Sequence, residues 1–84
     1  MIRYTVVWHD GAQDQLARIW MDAADRDDVT RAAHEIDTHL ATDAETKGMP
    51  VVGDIREWVT TPLRVLFAVS PLDRLVKILH VARV

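Results

Sequence analysis

The sequence has no cysteine, so neither disulfide bonds nor thiolate metal sites can stabilise it. Its apolar runs are far shorter than the roughly 18–20 residues that span a bilayer, so we expect no membrane span. No apolar segment of about 7–15 residues follows the start, so we expect no signal peptide and a cytoplasmic location. The three glycines are isolated, which argues against a glycine-rich phosphate loop. Packing of apolar side chains must therefore stabilise the chain.

Apolar residues make up 49% of the 84 positions, and they include three tryptophans. This proportion is typical of globular domains, and the length leaves room for only one. We therefore expect residues 1–84 to form a single folded domain.

The net charge of −3 comes from 13 acids and 10 bases, and it argues against indiscriminate binding to nucleic acids. The charge is uneven along the chain. Residues 1–57 contain 12 acids and 6 bases, whereas residues 58–84 contain one acid and four bases. Any surface that faces an anion is expected in the last third.

Period-two alternation of β-branched and aromatic residues over 2–8 predicts a first strand. Two amphipathic helices follow, with Asp10 and Asp25 as their expected N-caps. Their apolar stripes are Leu16, Ile19, Trp20 and Ala23 in the first helix and Val29, Ala32, Ala33, Ile36 and Leu40 in the second. The very short connection between them predicts an antiparallel helical hairpin on one face of a sheet.

Glycine and proline at positions 48, 50 and 53 predict a loop over 42–54. Three more strands are predicted at 55–59, 63–69 and 75–81, joined by tight hairpins. The third predicted strand places Leu63, Val65, Phe67 and Val69 on one face and Arg64, Leu66 and Ala68 on the other. The predicted fold is α+β, ordered β-α-α-β-β-β, with the helical hairpin packed on a small, mostly antiparallel sheet.

This order, the string Pro-Leu-Arg-Val-Leu-Phe-Ala-Val from Pro62 to Val69, and the opening Trp8-His9-Asp10 of the first helix resemble the RelE/ParE toxin superfamily. The family's central strand combines aliphatic residues, an arginine and an aromatic, and Leu63 to Val69 fits that pattern. The resemblance covers nearly the whole chain.

The resemblance implies a bacterial toxin of a type II toxin-antitoxin module, of the kind also called plasmid-stabilisation proteins, which a cognate antitoxin holds inactive. ParE-like members inhibit DNA gyrase, and RelE-like members cut messenger RNA in the ribosome. The position that matches the RNA-cleaving members is Arg64, which would stabilise charge on the scissile phosphate. This chemistry uses positive donors and implies no metal or other cofactor.

The chain departs from the RNA-cleaving pattern at Glu57. A two-residue Thr60-Thr61 loop would place Glu57 directly opposite Arg64, where an RNase would have a lysine. Such a cross-strand pair is worth about 0.2–1 kcal/mol and would partly neutralise the arginine. The only tyrosine is Tyr4, and the sequence ends where the family's terminal basic and tyrosine residues would follow. The ParE-like mode is therefore our first hypothesis.

In the alternative hypothesis the chain is a ribosome-dependent endoribonuclease, in which Arg64, Arg83 and His80 stabilise charge and transfer protons. The simpler interpretations are a packed or solvated His80 and an Arg64 that only pairs with Glu57. A third hypothesis is a non-toxic family member that acts as a binding module. His34 and His39 are five residues apart, so they point in different directions and do not predict a shared metal site.

Overall fold

The computed structural model describes residues 3–84. Two helices and five strands follow one another in the order β1 (Thr5–Trp8), α1 (Asp10–Asp22), α2 (Arg26–Asp43), β2 (Met49–Val52), β3 (Ile55–Thr60), β4 (Leu63–Ser70) and β5 (Leu75–Arg83). The spatial order of the strands is β1-β5-β4-β3-β2. Strand β1 is parallel to β5, and the other pairs are antiparallel. The predicted α+β class, with a helical hairpin on a mostly antiparallel sheet, is confirmed.

The start of the chain forms the predicted strand and helix with small shifts. Strand β1 covers residues 5–8 of the predicted 2–8, and Ile2 lies outside the described residues. The predicted N-cap at Asp10 is wrong, because the Nδ1 atom of His9 accepts a hydrogen bond from the Gly11 N–H at 3.1 Å. Asp10 is instead the first helical residue, where its charge meets the positive end of the helix dipole.

The predicted loop over 42–54 is wrong at its start and in its second half, although it ends where predicted, before Ile55. Helix α2 continues to Asp43, and residues Met49–Val52 form the additional strand β2 on the edge of the sheet. All four residues of β2 are exposed. Because neither face of the strand is buried, its sequence has no alternation of apolar and polar residues that would predict a strand. Pro50 is tolerated because an edge strand needs hydrogen-bond donors on one side only.

The hairpin between β3 and β4 differs from the predicted register. The turn is formed by Thr61 and Pro62, so Thr60 pairs with Leu63 and Glu57 pairs with Leu66 rather than Arg64. The two registers place the same side chains on each face, so the apolar pattern does not discriminate between them. Proline has no backbone N–H to donate. In the turn, Pro62 therefore removes no hydrogen bond from the sheet.

One face of the sheet packs against the helices and forms the core. Leu63, Val65 and Phe67 of β4 are at most 1% exposed, as their predicted common face requires. Strand β5 adds Val76 and Ile78, and helix α2 covers them with its predicted stripe, of which Val29, Ala32, Ile36 and Leu40 are fully buried. Among residues 3–84, no helix is both long and apolar enough to cross a membrane.

Candidate functional site

The sheet face opposite the helices, which we call the open face, bears the arginine singled out by the sequence. Arg64 and Leu66 project from β4 between core residues and are half-buried. Glu57 of β3 shares this face because it pairs with Leu66, and exposed Lys77 of β5 shares it because it pairs with Ala68. The open face therefore combines a few charges with apolar side chains.

Arg64 and Glu57 form an ion pair diagonally across the two strands. The Nη1 atom of Arg64 lies 3.6 Å from Oε2 of Glu57, and the two side chains are 42% and 38% exposed. The expected contact therefore forms, although the two residues are not directly opposite each other. Exposed pairs of this kind contribute little to stability, about 0–1 kcal/mol, because water screens both charges. The contact still places a carboxylate beside the guanidinium.

His80 lies on the same side of the sheet as Arg64, because it pairs with Leu66 and Arg64 pairs with Ala82 two residues further along β5. Its Nδ1 atom is 2.8 Å from Nε2 of Gln15, and the Oε1 atom of the same Gln15 accepts a hydrogen bond from the Val81 N–H at 2.9 Å. A backbone N–H can only donate, so the other amide atom of Gln15 is the donor to His80. Nδ1 is therefore the acceptor, and the neutral ring has its proton on Nε2. No sequence pattern marks Gln15 for this role.

Arg83 lies on the other side of the sheet. It pairs with the core residue Leu63 at the end of β5, and its Nη2 atom donates to Oδ2 of Asp25 at 2.7 Å. This hydrogen bond lowers the pKa of the Asp25 carboxyl and raises the pKa of the Arg83 guanidinium. The structure therefore brings Arg64 and His80 to one face and ties Arg83 to the start of α2.

The only tyrosine is also remote from Arg64. Tyr4 is buried in the core at 8% exposure, and a hydrogen bond with Glu45 raises the pKa of its hydroxyl. It contributes to packing under α2, because its N–H also donates to the carbonyl of Ala41 at 2.7 Å.

A second candidate surface, which we call the hairpin groove, runs along α1 and α2 and has a volume of about 720 Å³. Its lining residues are Trp8, Gln13, Leu16, Ala17, Trp20, Met21, Val29, Thr30, Ala33 and Asp37. Met21 and Trp20 at its rim are 66% and 42% exposed. The helical periodicity assigned Trp20 to the stripe that faces the sheet, and this is wrong, because Trp20 lies in the groove, whereas Leu16, Ile19 and Ala23 of that stripe pack against the core. The spacing between the two helices, which opens the groove, has no signal in the sequence.

Solved toxin-antitoxin structures resemble this fold over the whole chain. A chain of the RelBE2 complex from Mycobacterium tuberculosis superposes with a TM-score of 0.82 and 18% identity, covering 100% of this chain and 94% of that one. A chain of the chromosomal ParDE system from Pseudomonas aeruginosa gives a TM-score of 0.75 and 20% identity, covering 100% and 99%. The isolated RelE toxin from Escherichia coli gives 0.56 and 13%, covering 95% and 83%.

By sequence alone, no family model matches the chain and no curated protein matches it significantly. The likeness is therefore one of architecture, and in the RelBE2 and ParDE structures it covers the whole of this chain. This chain has the fold shared by the RelE and ParE toxins.

Proposed function

We propose that the chain is the toxin-like component of a type II toxin-antitoxin module, acting in the cytoplasm and neutralised by a cognate antitoxin. The observation that supports this proposal is the full-length likeness to chains of two toxin-antitoxin complexes. We further propose that it inhibits its target in the ParE-like manner, through protein-protein contact, with DNA gyrase as the first target to test.

The charges around Arg64 favour protein contact over RNA cleavage. Phosphate chemistry without a metal needs positive donors aimed at the developing charge. The positive charge of Arg64 is partly neutralised by the Glu57 carboxylate, 3.6 Å away. Arg83 is hydrogen-bonded to Asp25 on the other side of the sheet. Lys77 is the remaining lysine or arginine that the strand pairing assigns to the open face within residues 3–84.

The alternative function, a ribosome-dependent endoribonuclease, is favoured by one specific observation. Arg64 and His80 share a face, and the hydrogen bond from Gln15 leaves a proton on Nε2 of His80. In this alternative Arg64 would stabilise charge and His80 would transfer a proton, while Arg83 would first have to leave Asp25. A non-toxic binding module would instead use the same surfaces without harm to the cell.

The test is the growth of bacteria after induction of the wild-type chain, Arg64→Ala and Glu57→Gln, with expression followed by immunoblot. If the chain acts by protein contact, the wild type should arrest growth and leave messenger RNA intact. The purified chain should then inhibit the supercoiling of DNA that purified gyrase catalyses. RNA cleavage predicts cut messenger RNA in a translation reaction, loss of cutting in Arg64→Ala, and faster cutting in Glu57→Gln because the arginine loses its counter-ion.

Lys77→Ala is the matched control, because it removes a second cation from the same face without touching the Arg64–Glu57 pair. Growth arrest that depends on Arg64 but not on Lys77 would assign the effect to the central strand. Normal growth with soluble, folded wild-type protein would contradict the toxin proposal and leave the binding module.

A further inference from the structure

A bulge in β5 places His80 on the open face. Ile78 of this strand is fully buried, so strict alternation would put His80 in the core as well. The neighbours Phe67 and Leu66 of β4 pair with positions 78 and 80 of β5, so β5 has one extra residue between them. This residue shifts the alternation, and Val81 is buried in place of His80. Bulges often redirect a side chain in this way beside functional sites.

Gln15 of α1 holds the His80 ring from the edge of the sheet. Strand β1 pairs with β5 only as far as Ile78, so it does not cover the part of β5 that follows. There the N–H of Val81 donates to Oε1 of Gln15 at 2.9 Å, and Nε2 of the same amide lies 2.8 Å from Nδ1 of His80. The hydrogen bond at one ring nitrogen decides whether the other is protonated. A single amide therefore satisfies the edge of β5 and sets the tautomer of the imidazole.

The other ring nitrogen of His80 is available to a partner. Among residues 3–84 the ring hydrogen-bonds only through Nδ1, and no buried side-chain nitrogen or oxygen there lacks a hydrogen-bond partner. Nε2 of His80 is therefore in contact with solvent. Because Gln15 donates to Nδ1, the proton on Nε2 makes this atom a neutral hydrogen-bond donor. It differs in this from Arg64 and Lys77, the charged donors of the same face.

We propose that Gln15 is a positioning residue for His80, which it fixes as the Nε2–H tautomer, so that the open face offers a neutral donor to an acceptor oxygen of the protein target. The tautomer rests on the two hydrogen bonds of Gln15. The use of the donor by a target rests on the proposed function. A ring in the other tautomer would present an acceptor at the same place, so Gln15 decides which kind of group this part of the face recognises.

Two substitutions of Gln15 separate its effect on the ring from its effect on the fold. Gln15→Glu replaces the amide by a carboxylate, which can only accept hydrogen bonds. One carboxylate oxygen can still accept from the N–H of Val81, while the other faces Nδ1 of His80 and stabilises a proton there. Gln15→Met is similar in length but makes neither hydrogen bond, so both tautomers should be populated. Gln15 is half-buried at the edge of the sheet, so both variants should fold.

NMR spectra of the imidazole nitrogens distinguish the two tautomers at about pH 8, above the range in which histidines ordinarily titrate. In the wild type, Nδ1 of His80 should resonate as an unprotonated ring nitrogen, and in Gln15→Glu it should shift to the position of a protonated one. His9 is the internal control, because its Nδ1 accepts from the Gly11 N–H and should stay unprotonated throughout. Gln13→Glu makes the same charge change on α1 and should leave the His80 spectrum unchanged.

Growth arrest tests whether a target uses the donor. His80→Phe keeps a ring but has no nitrogen, so about tenfold more protein than wild type should be needed for the same arrest. Gln15→Met should have a smaller effect, because the ring still offers its donor part of the time. In the His80→Phe background Gln15→Met should have no further effect, because a positioning residue acts only through the group that it positions. Circular dichroism would confirm that each variant is folded.

Several results would overturn the proposal. An unprotonated Nδ1 of His80 in Gln15→Glu, a simultaneous change at His9, or additive losses of arrest would contradict the positioning role of Gln15. Equal arrest by the wild type and His80→Phe would contradict the use of the donor, while the arrest itself would still support the proposed function. Normal growth with the wild type would contradict the proposed function and the use of the donor by a target, and the ring spectra would still decide the role of Gln15.

Discussion

The two faces of the sheet use the same strands for different purposes. Along β4, Leu63, Val65 and Phe67 point towards the helices and are at most 1% exposed, while Arg64 and Leu66 between them stay half-exposed. Side chains of a strand alternate between faces, so a single segment supplies both the core and an accessible surface. No polar or charged residue among 3–84 is buried. Stability is therefore concentrated on one face, while the open face has half-exposed and charged side chains.

The ion pairs show the same contrast. Asp25 and Arg83 meet at 2.7 Å and join the end of β5 to the start of α2. Glu57 and Arg64 on the open face are separated by 3.6 Å and join only neighbouring strands. The shorter pair is part of the architecture, whereas the longer pair sets the charge of a surface.

The largest expected effect on stability comes from removing Phe67, the aromatic residue of β4 on the face that packs against the helices. Phe67→Ala should reduce the free energy of unfolding by about 3–5 kcal/mol, because it removes a fully buried ring and leaves a cavity. Leu66→Ala, one residue away on the open face, should cost about 1–2 kcal/mol because that side chain is only partly buried. Urea unfolding measures both. Equal losses would contradict the division between the two faces.

Such a loss is a large share of the roughly 5–15 kcal/mol that stabilises a typical domain. If Phe67→Ala does not fold, Phe67→Leu keeps most of the volume and should cost less than about 1.5 kcal/mol. The unfolding free energy of Phe67→Leu would then be compared with that of Leu66→Ala.

The next effect concerns the edge of the sheet. Gly48 has a φ of +74°, and a Cβ there would collide with the carbonyl oxygen of Glu57. Gly53 has a φ of +54° but has open space around it. Gly53→Ala should therefore cost about 1–2 kcal/mol for the left-handed backbone, and Gly48→Ala about 2–4 kcal/mol because steric strain is added. Equal costs in urea unfolding would show that β2 moves freely away from β3.

A smaller effect is expected from pH, which should change the free energy of unfolding through the Asp25–Arg83 pair. The hydrogen bond from Arg83 holds the pKa of Asp25 below its ordinary value of 3.8. A lowered carboxyl pKa contributes stability that is complete above the ordinary value and is lost as the pH falls through the lowered one. The unfolding free energy of the wild type should therefore decrease more between about pH 5 and pH 3 than that of Asp25→Asn.

Thermal or urea unfolding across this pH range provides the measurement. Glu35, whose pKa is lowered by hydrogen bonds from Thr60 and Arg31, is present in both proteins, so its contribution cancels in the comparison. Parallel pH profiles for the two proteins would show that the Asp25–Arg83 contact does not persist in solution.

The smallest effect is expected from the Arg64–Glu57 pair. A double-mutant cycle with Arg64→Ala and Glu57→Gln should give a coupling free energy below about 1 kcal/mol, because both side chains are well solvated. A coupling above about 2 kcal/mol would mean that the pair is structural and would weaken the interpretation of the open face as a recognition surface.

Local patterns in the sequence predicted much of this fold. The alternation in β4 correctly separated Phe67 from Arg64, and the stripe containing Ile36 correctly identified the buried side of α2. Strand β2 was missed because its four residues are all exposed and include a proline. The register of β3 and β4 was missed because both registers put the same residues on the same faces.

The candidate site was predicted less completely. The sequence predicted that Arg64 and Glu57 would meet directly opposite each other, and they meet diagonally instead, because the predicted register is wrong by two residues but keeps both side chains on one face. It gave no sign that Gln15 would hydrogen-bond to His80 or that Arg83 would turn towards Asp25, because these contacts join residues 65 and 58 positions apart. Their formation depends on where α1 and α2 lie against β5.

The sequence by itself determined the two helices, four of the five strands, the buried faces of α2 and β4 and the excess of acidic residues in the helical hairpin, because periodicity and composition are local properties. The tertiary structure alone decided the pairing of Glu57 with Leu66, the separation of Arg83 from Arg64, and the opening of the hairpin groove between Trp8 and Trp20. These features depend on distances between elements, and such distances are set by the packing of all the elements together.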